Sequence, residues 1–366
     1  MDFTKMSFDC VPDALYPVVA VLVNVSVSVI VFIMQLVSLI WIALKHLFWF
    51  RKWEIENQHL KHVLVSGCDS GFGRLLALRL AKRGMTVYAG CLTADGASSL
   101  AKESRDACES GDSVARPVVT FEVDITDQNA VEKFRQFVEI QLDGKRLWAI
   151  VHNAGVLGPS LEDRFSTLDL YQKNMEVNFF GHVRMTHAFR SLMSPTTGGR
   201  IVFMLSSTVF SSVLYHGPYC TAKSALYGYA RTLRAELSLS KIDVITLAPG
   251  FFFTNLYKDG YTAHLKSALE KHYNGSITAE ELKTRLAQRE HFVTIFMMLS
   301  AGKNRPSDVA DMMTKVVVSK FPKLHARVGY NSFCLEFLDS CSVEMQTWYC
   351  RWGRKFVLRD FETSCL

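Results

Sequence analysis

Seven short apolar runs recur along the chain, at 62–67, 86–91, 118–124, 147–155, 199–207, 241–250 and 325–330, with longer amphipathic stretches between them. Within the runs, as in Val63, Leu64 and Val65 or Ile201, Val202, Phe203 and Met204, successive positions are apolar rather than every second one. A strand with one wet face alternates. A strand apolar on both sides needs cover on both sides, which a parallel sheet with helices on its two faces supplies. The pattern predicts an α/β doubly wound parallel sheet, a single domain over 61–332. Between 251 and 305 the rhythm lapses into an insertion of loop and helices, and irregular segments on such scaffolds usually shape a substrate lid. A length of 366 residues and 49% hydrophobic content allow a sizeable core and exclude a mostly disordered chain.

The N-terminus is of another kind. From Ala14 to Leu44 there are 31 residues without Asp, Glu, Lys or Arg. As a helix such a stretch spans roughly 45 Å, against about 30 Å of bilayer hydrocarbon. It begins with Asp2, Asp9 and Asp13 rather than a basic segment, so an uncleaved anchor is expected in place of a secretory signal. The segments then read as 1–16, a transmembrane helix over 17–45, a linker over 46–60, the α/β domain over 61–332, and a tail over 333–366. Lys45, Arg51 and Lys52 stand among Trp49, Phe50 and Trp53, a positive-inside flank within an aromatic belt. The expected location is single-pass in a membrane such as the endoplasmic reticulum, with the body facing the cytosol. In the tail, aromatics mixed with Arg351, Arg354 and Lys355 suit either a membrane surface or ordinary packing.

The charge of +6 is dispersed, without the basic-aromatic clusters that would argue for nucleic acid. Nine cysteines include no C-x-x-C pair and no zinc-like histidine spacing, so no metal site is expected and a reducing compartment is the simplest reading.

The chemistry sits on the strand ends. The first run leads into Ser66, Gly67, Cys68, Asp69, Ser70, Gly71, Phe72 and Gly73. Its three glycines let backbone approach a dinucleotide pyrophosphate at the start of the following helix, whose free N–H groups favour anions. The spacing is G-x-x-x-G-x-G, not G-x-G-x-x-G. Further along come His152, Asn153, Ala154 and Gly155, then Asn178, Ser207, and Tyr219 four residues before Lys223. This ordered set resembles the short-chain dehydrogenase/reductase family over roughly 60–330. The stretches 65–73, 89–96, 147–158 and 176–183 resemble its branch of retinol dehydrogenases, oxidative 17β-hydroxysteroid dehydrogenases and 3-hydroxybutyrate dehydrogenases.

The resemblance implies a Rossmann-type domain, a nicotinamide cofactor, and hydride transfer between it and an alcohol or ketone. It implies Tyr219, Lys223, Ser207 and Asn178 as the catalytic set, with Asn178 holding a water that links Lys223 to solvent. Ser207 is the expected ligand of the substrate oxygen, being second in its pair and 12 residues before Tyr219; Ser206 is its rival. Cofactor contacts fall to Gly67, Ser70, Gly71, Phe72 and Gly73, to Asn153, Ala154 and Gly155, and to Tyr219 and Lys223. Asp124 and Ile125 belong to the adenine side, Pro249, Gly250 and Thr254 to the nicotinamide side.

Elementary chemistry explains the Tyr-Lys pair. An alcohol loses a hydride only if its hydroxyl proton is also taken, and an ordinary tyrosine, with pKa about 10, is a poor base at neutral pH. A lysine ammonium about 4 Å from the phenolate supplies about 4 kcal/mol of gross attraction at an effective dielectric near 20. That is enough to lower the phenol by roughly three units before desolvation.

Three positions depart from the family pattern: Ser66 for a threonine, His152 for an asparagine, and Phe210 for a glycine three residues after Ser207. Phe210 is expected to narrow the substrate pocket, and His152 to be a structural substitution without a partner. The run after the second strand offers no Arg or Lys for a 2′-phosphate, and Asp69 would repel one, so NAD is expected over NADP. Phe251, Phe252 and Phe253, with Phe292, Ile295, Phe296, Met297, Met298 and Leu299, suit an apolar pocket, a membrane-facing lid or, equally, a plain core helix. Beside a lipid bilayer anchor these point to a small hydrophobic substrate, a retinoid or steroid. The alternatives are an NADPH-dependent carbonyl reductase, a 3-hydroxybutyrate-type dehydrogenase and a silent nucleotide-binding scaffold; a homo-oligomer is left open.

Overall fold

The computed structural model describes residues 53–109, 114–158, 166–211, 213–252 and 304–348, with single positions outside these stretches. The chain divides into two compact units, Met1–Glu54 and Ile55–Leu366. In the first, Ile33, Leu36, Val37 and Ile40 are helical and exposed. The rest of the expected 17–45 span lies outside the described residues, and among those described no helix is long and apolar enough to cross a membrane. Residues 292–299 and most of the tail beyond 348 also lie outside them.

The second unit holds the predicted sheet. Its strands are β1 (His62–Ser66), β2 (Thr86–Cys91), β3 (Val119–Glu122), β4 (Leu147–His152), β5 (Gly199–Met204), β6 (Ile242–Pro249) and β7 (His325–Val328). All six pairings are parallel and the order is β3-β2-β1-β4-β5-β6-β7. Each of the seven expected runs became a strand, but most stop short of the apolar run's end. After β1 the chain leaves the ladder because Gly67 adopts φ +71°. After β4 and β5 the residues 153–155 and 205–207 turn into loops, and it is these loops that carry the site.

The helices are α1 (Gly71–Lys82), α2 (Ala94–Glu109), α3 (Gln128–Leu142), α4 (Leu168–Met175), α5 (Gly181–Phe189), α6 (Gly217–Glu236), α7 (Pro306–Val318) and α8 (Tyr330–Asp339). Alternate strand residues serve opposite faces, as the strand period of two requires. Val63, Val65 and Val87 pack with Leu76 and Leu80 of α1 and Val309 and Met313 of α7. Leu64, Tyr88 and Ile150 pack with Phe134 of α3, Phe189 of α5 and Leu226 of α6. The chain builds outward from β1 to β3 and returns to place β4 on the other side of β1. Strand order therefore reverses between β1 and β4, the point at which doubly wound sheets bind their ligands.

Two contacts tie the C-terminal helices to β5 and β6. Arg200, 2% exposed, donates to the carbonyls of Val317 and Ser319 at the end of α7 and lies over the Trp148 ring, 4.8 Å from its centroid. A guanidinium there satisfies the carbonyls a helix end leaves open. On the next strand, Ser332 of α8 donates to the Ala248 carbonyl of β6 at 2.6 Å. Phe210, expected to narrow the substrate pocket, instead packs with Ala248 and Leu335 and meets the ring of Tyr227 edge-on. Where the family has a glycine, this chain spends a phenyl ring on docking α8, so the start of the C-terminal segment is packed on the sheet.

Candidate active site

The glycine loop is built for backbone contact. A Cβ on Gly73 would lie 2.3 Å from the Gly67 carbonyl oxygen and 2.5 Å from Asn153 Nδ2. A Cβ on Gly67 would lie 2.6 Å from Ala154 Cα, at a positive φ besides. The loop and the β4 end are stitched together. Asn153 Nδ2 donates to the Ser66 and Gly67 carbonyls at 3.1 and 2.8 Å, and Ser66 Oγ accepts from the amides of Asn153 and Ala154. Ser70 precedes α1 and makes no side-chain cap, so the first-turn amides remain free to meet an anion. Thr254 stands on the same side, its methyl carbon 3.9 Å from a Cβ placed on Gly71. Phe72 turns away to pack edge-on against Phe252, which is 3% exposed and belongs to the core rather than to a pocket. We expect Gly73→Ala to destabilise the fold by about 2–3 kcal/mol through overpacking and to abolish measurable dinucleotide binding, read by urea unfolding and fluorescence titration.

Asp69 reaches from the glycine loop to the end of β2, where its carboxylate accepts from the amides of Leu92 and Thr93 and from Thr93 Oγ1 at 2.8, 3.0 and 2.9 Å. β2 runs into Cys91, Leu92 and Thr93 with no acid of its own, and the carboxylate at its end comes from the neighbouring loop. The Asp124 carboxylate closes a local turn on Thr126, accepting from its amide and hydroxyl, both at 2.8 Å. Ile125 is buried, packed where a Cβ on Gly181 would touch it at 2.7 Å.

The four expected catalytic residues converge at the ends of β4, β5 and α6. Pro218 sets the first turn of α6, where its missing N–H costs nothing. One turn apart on that helix, Tyr219 and Lys223 are 8% and 3% exposed. Lys223 Nζ donates to the Met204 carbonyl at 3.0 Å and lies 5.8 Å from the Tyr219 ring centroid. Asn178 occupies a π-helical turn, Glu176–Phe180, inserted between α4 and α5, a distortion often found at functional positions. Its amide clamps Val156, accepting from the backbone N–H at 3.2 Å and donating to the carbonyl at 2.8 Å. Gly155 sits between the two: a Cβ there would lie 2.8 Å from Asn178 Oδ1 and 3.5 Å from Lys223 Nζ. The two serines divide their contacts. Ser206 acts on the Tyr219 phenol and accepts from the Thr208 amide, whereas the Ser207 hydroxyl has no partner among the described residues.

Electrostatics run against one expectation. Burial pushes the Tyr219 phenol above its ordinary value, the Ser206 hydrogen bond opposing it, and Lys223 is not among the groups that lower it. The lysine is itself desolvated, pulled down to about 7. A buried amine near half-charge exerts less field than the full ammonium assumed from spacing. His152 also departs from expectation, since it has partners: Thr186 Oγ1 at 3.0 Å, the Phe203 ring stacked at 4.6 Å, and His182 edge-on at 5.4 Å. A surface groove of about 500 Å³ between α1 and α2, lined by Leu78, Arg79 and Cys108, lies on the outer flank of these helices, away from this constellation.

Comparison with known proteins agrees with this geometry. Residues 61–263 match the short chain dehydrogenase family. The chain belongs to the short-chain dehydrogenases. The dehydrogenase is 30% identical over 286 residues to short-chain dehydrogenase/reductase family 9C member 7 of Mus musculus, covering 77% of this chain and 86% of that protein. It is 37% identical over 215 residues to a 3β-hydroxysteroid dehydrogenase of Caenorhabditis elegans, covering 57% of this chain and only 54% of the relative's length. With retinol dehydrogenase 16 of Homo sapiens it shares 33% over 210 residues, 57% of this chain and 62% of that one. An alcohol dehydrogenase from Thermococcus sibiricus, solved with 5-hydroxy-NADP, superposes with a TM-score of 0.55 at 20% identity, covering 74% of this chain and 96% of that one. The fold is shared with it. The dehydrogenase is an NAD(P)-dependent enzyme acting on alcohols, and the glycine loop, the uncapped α1 and the β4 loop suit the dinucleotide.

Proposed function

We propose that this chain is a membrane-anchored, NAD-preferring dehydrogenase of a retinoid or hydroxysteroid. The observation that carries the reading is the convergence of Tyr219, Lys223, the Ser206 and Ser207 pair and Asn178 around Gly155 and the end of β5. Bound NAD supplies the hydride acceptor. Tyr219 takes the substrate hydroxyl proton, Lys223, drawn down to about 7, receives the proton that the phenol passes on, and Ser207 donates to the substrate oxygen. Asn178 fixes the Val156 backbone beside them.

Substrate class follows from what the relatives are called: a 3β-hydroxysteroid dehydrogenase, retinol dehydrogenases and an estradiol 17-beta-dehydrogenase of Rattus norvegicus. Membrane anchoring is supported by the charge-free stretch over 14–44 and by the exposed helical side chains at 33, 36, 37 and 40. NAD is favoured over NADP by the Asp69 carboxylate at the end of β2, where a 2′-phosphate would meet like charge.

The experiment is a panel of retinols, hydroxysteroids and 3-hydroxy acids, assayed with the full chain in microsomes against NAD and NADP, following reduced-nicotinamide absorbance. Turnover of 3-hydroxybutyrate alone, or with NADP alone, would overturn the reading. The two serines separate in the same assay. Ser207→Ala is expected to lower kcat/KM by roughly 10²-fold at every pH, as loss of an oxyanion-type donor does. Ser206→Ala is expected to move the pH–rate profile to higher pH, because it removes the bond that holds Tyr219 down.

A further inference from the structure

Behind Lys223 lies a second polar cluster that the mechanism above does not use. His182, four residues after Asn178, is fully buried, and neither of its ring nitrogens has a hydrogen-bond partner. His152 is fully buried beside it, the two rings edge-on with centroids 5.4 Å apart. Thr186 Oγ1 donates to the His182 carbonyl at 2.8 Å, so the 3.0 Å contact from His152 requires the proton on its Nε2. His152 Nδ1 is left as a bare lone pair, and it too has no partner. Three imidazole nitrogens of two rings 5.4 Å apart thus lack a side-chain or backbone hydrogen bond of good geometry. Buried polar atoms left so are ordinarily met by internal water.

The cluster borders the catalytic lysine on one side and solvent on the other. His182 faces the Ala154 carbonyl and lies in the field of Lys223, while Gly155, next along the chain, would touch Lys223 Nζ at 3.5 Å through a Cβ. Beyond His152, the Thr186 hydroxyl acts on the Tyr229 phenol, holding it down against burial, and the Tyr229 ring packs edge-on, 5.8 Å away, against the Phe203 ring on which His152 stacks. Tyr229 is half-buried and so opens to the surface of α6.

We propose that His182, His152, Thr186 and Tyr229 form a proton-relay branch serving Lys223, with internal water bridging the two imidazoles and the lysine. In alcohol oxidation the proton that Tyr219 takes from the substrate is passed to Lys223. An Nζ–H is then given to water, and that water gives a proton to the free lone pair of His182. His182 releases the proton on its other nitrogen toward His152 Nδ1, and His152 releases its Nε2 proton to Thr186 Oγ1. The Thr186 hydroxyl turns its own proton to Tyr229, which yields one to solvent. One proton leaves, no charge accumulates, and the rings and hydroxyl turn back to reset. Neutral rings are what such a chain needs, since each must hold one lone pair. Burial supplies that condition, drawing His152 down to about 3 and His182 well below its ordinary range. The charged groups facing the branch are Lys223 at His182 and Arg190 and Glu236 at Tyr229.

The branch rests on the dehydrogenase reading, so the test has two arms. In the first, the full chain is assayed in microsomes with NAD and whichever retinol or hydroxysteroid the wild type oxidises. His182→Gln holds a water but cannot pass a proton through its amide, and Tyr229→Phe removes one oxygen near the surface without touching the core. Each is expected to lower kcat roughly three- to ten-fold and raise the solvent deuterium isotope effect, with KM for alcohol and NAD unchanged. Wild-type kcat and isotope effect in both variants would overturn the relay. In the second arm, nitrogen-15 histidine NMR of the resting protein should show both rings neutral from about pH 5 to 9, with the His152 proton on Nε2. A His182 ring protonated in that range would also overturn it. A wild type inactive on every probe would instead sink the dehydrogenase reading, with the NMR arm still deciding the imidazole pair.

Discussion

Tyr219→Phe abolishes turnover, by about 10²- to 10⁴-fold, while NAD titration of the variant remains at the wild-type affinity. The reason is local. The hydroxyl is the one group on α6 that both faces the serine pair and can exchange a proton with a substrate oxygen, and its ring stays in place without it. Removing the oxygen leaves the Gly67–Gly73 loop and the α1 terminus intact, so dinucleotide affinity has no cause to change. Single-turnover absorbance with saturating NAD distinguishes chemistry from binding. A variant that turns over normally would show that the protein does not use this phenol, and the silent-scaffold alternative would gain ground.

The second large effect couples activity to stability. Lys223→Met should lose turnover and yet unfold later than the wild type at neutral pH. Burial pulls Lys223 down to about 7. In an unfolded chain a lysine titrates near about 10.4. Between those values the unfolded state carries a proton that the folded state has released, so wild-type stability rises with pH from about 7 to about 10. Below about pH 7 the full cost of charging the buried amine is present. Methionine has a similar length and no charge, so it removes that cost and the slope together, at the expense of the bond to the Met204 carbonyl. The net gain at pH 7 should be on the order of 1–2 kcal/mol in urea unfolding of the detergent-solubilised chain. A variant that is less stable, or keeps the rise toward pH 10, would show that the amine is solvated in the native protein.

Both predictions turn on residues whose positions could be read from spacing, while their environments could not. Tyr219 and Lys223 at i and i+4 had to share a helix face, and the chain order of glycine loop, Asn153, Asn178, serine pair and Tyr219 left one arrangement on a doubly wound sheet. What spacing could not weigh was burial: the field of Lys223 was expected to lower the phenol, and desolvation of both groups outweighs it. Phe210 was misread for a related reason, because a position three residues after a serine says nothing of the α8 helix that arrives more than a hundred residues later. His152 looked partnerless because its neighbours come from α5, 30 and 34 residues on, as His182 and Thr186. The available signal was His182 and Thr186 at i and i+4 on the same helix face as Met185 and Phe189.

Local chemistry, then, is what the chain wrote in one dimension: continuous apolar runs that demand cover on two faces, glycines where backbone must approach backbone, and a phenol one turn from an amine. These depend on neighbours within a few residues, and periodicity reports them directly. Protonation and partnership were decided by the fold alone. The Tyr219 phenol, the Lys223 amine and the two buried imidazoles take their state from how much water is excluded around them, and that exclusion is the work of β4, β5, α5 and α6 meeting from distant parts of the sequence.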